Sequence, residues 1–157
     1  MKRLSLLAIF AVTLGAASAH AADAKPGNCA VWAEESSKTV ATDARFEGET
    51  KTSIVAALDS FAKAQRSLME SQMEQAYKDA AAFGWDKAKV DAMTAQSEEA
   101  MRKGFRTSTM APNKLYMDHL MKLNGCIQAN PNDSQYGMPR ADFIAALEKS
   151  IPIVRGG

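Results

Sequence analysis

The chain has 157 residues, 46% of them hydrophobic and 24% charged, with a formal net charge of +1. That length suits one ordinary domain with a single core. So balanced a charge gives no long-range field to draw in nucleic acid or an anionic membrane, which argues against both as partners.

The chain opens with an export address. Lys2 and Arg3 precede an apolar run from Leu4 to Ala16. Ala17-Ser18-Ala19 and Ala19-His20-Ala21 then offer small residues at the positions a signal peptidase reads. Residues 1–21 are therefore expected to be a signal peptide, cleaved between Ala19 and Ala21. Residues 22–157 are expected to form one exported helical domain, periplasmic or secreted. Loss of Lys2 and Arg3 takes the formal charge from +1 to −1. No later stretch is apolar and uncharged for the ~20 residues of a membrane span. In an oxidising compartment the two cysteines, Cys29 and Cys126, most simply form one disulfide.

Asn28 is placed to cap a first helix over about Cys29–Ala41, anchored by Val31 and Trp32. Thr42 to Gly48 reads as a connection. The strongest helical pattern follows, from about Thr50 to Phe83. Ile54, Leu58, Phe61, Leu68, Met69, Met73, Ala76, Ala80 and Phe83 recur at three- and four-residue steps, unbroken by proline or glycine. Gly84 suits its C-terminal stop. Asp86 suits the N-cap of a third helix to about Ser108, with a thinner stripe of Val90, Met93, Met101 and Phe105. The short polar link predicts an antiparallel hairpin of these two helices. Pro112 opens a fourth helix to about Gln128, with Tyr116, Leu120, Leu123 and Ile127 facing the core. Asn130–Pro139 has loop composition. A short last helix, Arg140–Ser150, buries Phe143, Ile144 and Leu147 and is stopped by Pro152, with an extended tail beyond. The fold class is thus all-α: an antiparallel bundle of four main helices plus a short C-terminal helix. One disulfide joins the start of the first helix to the end of the fourth.

The chemistry is read mainly by elimination. The sequence holds no C-x-x-C-H, H-E-x-x-H, P-loop, G-x-G-x-x-G or G-x-S-x-G. His119 is the one histidine inside the fold, at the edge of the apolar stripe of the fourth helix. Carboxylates such as Asp43, Glu47, Glu70 and Glu74 cannot be set in pairs across a cleft. Arg102, Lys103 and Arg106 alternate with Glu98 and Glu99 and read as a solvated helix face. A non-catalytic protein without a cofactor is expected, one that binds another envelope or secreted protein as a chaperone, inhibitor or immunity-type protein does. Its contact surface would draw on Met69, Met73, Tyr77, Trp85, Met117 and Met121, where methionines at i, i+4 supply an adaptable apolar face. The alternative is a haem- or copper-binding bundle using His119 with Met69 or Met73.

Overall fold

The computed structural model describes residues 24–156, so the expected export leader, residues 1–21, lies outside them. The elements in chain order are α1 (Pro26–Thr42), α2 (Gly48–Ala81), α3 (Lys87–Arg106), α4 (Pro112–Ala129), a 3-10 turn (Asp133–Gln135) and α5 (Arg140–Arg155). No strand occurs among the described residues, and the chain forms an all-α bundle with one disulfide. No helix among them is long and apolar enough to cross a membrane.

The centre of the bundle is α1, not the longer α2. Cys29, Ala30, Val31, Trp32 and Ala33 are buried in succession, as are Glu35, Ser36, Ser37 and Val40. These side chains are mostly small, so neighbouring helices can approach α1 from several sides. It packs most extensively on α2 and also meets α3 and α4. The helix begins three residues before the expected Cys29. Pro26, with its preset φ and no N–H, fits the first turn, and the Lys25 carbonyl accepts the Cys29 N–H at 2.9 Å. Asn28 is therefore inside the helix and is not its cap.

The 34 residues of α2 span about 50 Å. Only the first half is anchored in the core, through Ile54, Ala57, Leu58, Phe61, Ala62 and Gln65. Phe61 forms an aromatic cluster with Phe143 and Tyr136, at ring separations of 4.6 and 5.0 Å. Beneath it, the Gln65 amide donates to the Asn130 side chain (3.2 Å) and the Gln135 carbonyl (2.9 Å). Asn130 donates to the Cys126 carbonyl, and the Tyr136 hydroxyl to the Asn130 carbonyl. These bonds make part of the polar Asn130–Pro139 segment a buried element of the core.

On α4, Tyr116, Leu120, Leu123 and Ile127 are buried as the spacing predicted. The bond between Cys29 and Cys126 ties the start of α1 to the end of α4 at a Cα separation of 5.8 Å. The last helix does not stop at Pro152. It runs to Arg155 with the proline inside it, and Val154, expected in an extended tail, is buried. Proline there gives up one late helical hydrogen bond, and the burial of Val154 offsets that cost.

Candidate interaction surface along α3

Not one side chain of α3 is fully buried. Its N-terminus is set as the sequence predicted: the Asp86 carboxylate accepts the Lys89 N–H at 2.8 Å. Gly84, at φ +74°, turns the chain between α2 and α3, a backbone state that suits glycine. The two helices run antiparallel, since Tyr77 donates to Asp91 (2.5 Å) near the tip while Arg66 meets Glu98 nearer the base.

The inward face of α3 mixes polar with apolar side chains. Asp91, Thr94, Glu98 and Arg102 follow each other at three- and four-residue steps and are partly buried, with Val90, Met101 and Phe105 beside them. Near the tip, Lys87 pairs with Asp91 and lies over the Tyr77 ring, 4.7 Å from its centroid. Deeper in, five charged groups from three helices meet. Arg66 of α2 reaches Glu34 (3.0 Å) and Glu98. Arg102 of α3 reaches Glu34, Glu35 (3.0 Å) and, at 3.7 Å, Glu98. Burial alone would raise the pKa of Glu34. The guanidinium groups of Arg66 and Arg102 outweigh it and hold the carboxyl below its ordinary value. Glu35 is likewise lowered against its burial, by Lys38 and Arg102. Burial would lower Arg66 and Arg102, but their carboxylate partners raise both. Arg102, expected on a solvated face, is therefore turned inward against α1. Its i, i+4 spacing from Glu98, in line with Phe105, is the sequence signal that pointed there.

Apolar contact between α3 and the core is concentrated at its C-terminal end. Phe105 packs edge-on against His119, with ring centroids 4.5 Å apart. His119 was expected at the core boundary but is only 1% exposed, and neither ring nitrogen has a hydrogen-bond partner. Burial, with Lys122 on the same helix adding to it, pushes its pKa down to about 4.

Two cavities lie one after the other between α3 and α1. One, of about 340 Å³, is lined by Gly27, Met69, Trp85, Val90 and Met93, among others. The other, of about 400 Å³, is bordered by Trp32, Met101, Phe105, Met110 and Lys122. Both reach Asn28 on α1. Exposed apolar side chains border them, Trp85 (38%) and Met93 (46%) on the first and Met110 (52%) on the second, and Phe83 (81%) is exposed in the link before α3. Phe83 and Met93, both expected in apolar stripes, thus face solvent. Phe83 lies past the end of α2, and Met93 lies well round α3 from its inward face.

The sequence-derived surface residues are only partly brought together. Met69 and Trp85 line the same cavity, and Met73 and Tyr77 stand half-buried on the same arm. Met117 packs against the core on α4, and Met121 is exposed there. Met69 sits against Gly27 at the start of α1, whereas His119 meets Phe105 at the far end of α3. No cluster of three or more His, Cys, Asp or Glu side chains suited to a metal ion occurs among the described residues. Compared with known proteins, the chain matches no family model, no curated protein and no solved structure.

Proposed function

We propose that this chain is an exported, non-catalytic protein that binds another envelope or secreted protein through α3 and the links at either end of it. The observation that carries the reading is the exposure of Trp85 and Met93 on one cavity beside α3 and of Met110 on the other, with Phe83 in solvent in the link before α3. Methionine and aromatic side chains are adaptable and desolvate cheaply, as a protein interface requires. The test is photocrosslinking in the exporting cell, with a benzophenone side chain at position 85 or 93 and, as control, at the exposed Ala145 of α5. An adduct of one defined mass from positions 85 and 93, absent from 145, supports the reading. No adduct, or the same adducts from all three positions, overturns it.

A second reading, a haem- or copper-binding bundle, draws on the two unpartnered nitrogens of buried His119. Met101 and Met110 border the cavity beside its Phe105 cover, so they are better placed than Met69 or Met73 to serve as the thioether partner. Titration with haem, followed by the visible spectrum, tests it. A Soret shift that is lost in His119→Ala supports this reading, and an unchanged spectrum rejects haem. Silver(I) binding tests the copper arm in the same way, as a redox-inert stand-in for Cu(I).

A further inference from the structure

We propose that α3 is a latched flap: it is held on α1 by its carboxylate–guanidinium cluster and can swing off while the core of α1, α2, α4 and α5 stays folded. Four observations carry this, and none depends on the partner-binding reading. First, α3 buries no side chain fully, so little apolar area holds it down. Second, the face it turns inward mixes charged with apolar side chains, and Arg102 alone touches Glu34, Glu35 and Glu98. Third, two cavities follow one another along the side of α3 that faces α1, so packing there is incomplete over much of its length. Fourth, the remaining helices are joined without it. The disulfide clamps α1 to α4, while α2 packs on α1 and α5.

Release needs only a few events. Phe105 leaves the His119 ring, the ion pairs exchange their partners for water, and the links at residues 82–86 and 107–111 take up the rotation. Half-buried ion pairs suit such a latch. Their attraction is largely offset by desolvation, so the closed state is favoured by little, while their geometry fixes where α3 lands. In the open state the two cavities merge into one trough beneath α3, and Trp32, Met101 and Phe105 become accessible.

Hydrogen–deuterium exchange on the oxidised, exported chain tests the proposal. In Arg102→Met, peptides from α3 should exchange on the order of tenfold faster than in the wild type. Peptides from residues 31–40 and 54–65 should be unchanged. Raising the salt from about 0.05 M to about 0.5 M should speed α3 selectively in the wild type, which keeps the test open should the variant fail to fold. Two outcomes overturn the idea: α3 exchanging in step with those core segments under every condition, or α3 showing no protection even in low salt.

Discussion

Mild acid should destabilise this protein through one side chain, His119. The ring is buried without a hydrogen-bond partner, and its pKa falls from 6.5 to about 4. Burial is the chief cause. Lys122 adds to it, while Asp118 on the same helix and Glu35 on α1 pull the other way. The unfolded chain takes up a proton as pH drops below about 6.5, and the folded chain refuses it until about 4. Stability is therefore complete above 6.5 and is lost as pH falls through that interval. The loss is about 2 kcal/mol by pH 5 and approaches roughly 3 kcal/mol near the lower end. The lowered pKa values of Glu34 and Glu35 act in a separate window. Their contribution is present above 4.5 and is lost only as pH drops below it. The interval from 6.5 to 5 thus reports on the histidine. Urea unfolding followed by circular dichroism at about pH 7.5 and pH 5 measures the effect, on a chain lacking residues 1–21, where His119 is the only histidine. His119→Leu, which fills a similar volume and cannot titrate, should flatten the dependence. A wild-type loss below about 0.5 kcal/mol, or an equal loss in His119→Leu, would refute the reasoning.

Five further outcomes test the fold. Reducing the bond between Cys29 and Cys126, which closes a loop of 97 positions, should lower stability by up to about 4 to 5 kcal/mol, read as a fall in the urea midpoint. Gly137→Ala should cost more than about 1 kcal/mol by the same assay, since its φ is +68° and a Cβ would press on Ser60 Oγ and the Ser60 carbonyl. Gly104→Ala, inside α3 with open space around it, should gain up to about 1 kcal/mol. Phe61→Ala should cost roughly 3 to 5 kcal/mol in chemical denaturation, and Phe83→Ala should stay within about 0.5 kcal/mol of the wild type, because one ring lies in the aromatic cluster and the other in water.

Much of the bundle was legible because its signals are local. Pro112, Gly84 and Asp86 mark ends, and Ile54, Leu58 and Phe61 or Tyr116, Leu120 and Leu123 mark faces. The centrality of α1 was not legible. A helix surrounded by neighbours needs no polar side, and its alanines and serines fill narrow spaces without advertising hydrophobicity. Tyr136 was hidden for a related reason: its loop is polar in composition, yet Gln65 and Asn130 satisfy that polarity internally. On α3 the apolar pattern told part of the story. Val90, Met101 and Phe105 are partly buried and only Met93 of that stripe faces solvent, but Glu98 and Arg102 also face inward, because Arg66, Glu34 and Glu35, distant in sequence, wait there to neutralise them. Pairing between distant residues leaves little trace in one sequence, and so the candidate site was only half visible.

The long helix is rooted at one end only. Beyond Gln65 its last 16 residues, Arg66 to Ala81, carry no fully buried side chain; Arg66 and Met69 still touch α1, and past them roughly 18 Å of rod projects with α3 beside it. A lever of that length magnifies small rotations: a tilt of about 10° at the base carries Phe83 and Trp85 through roughly 3 Å at the tip. The far end of the molecule can thus adjust its aim by ångströms while the side chains around Phe61 hardly move.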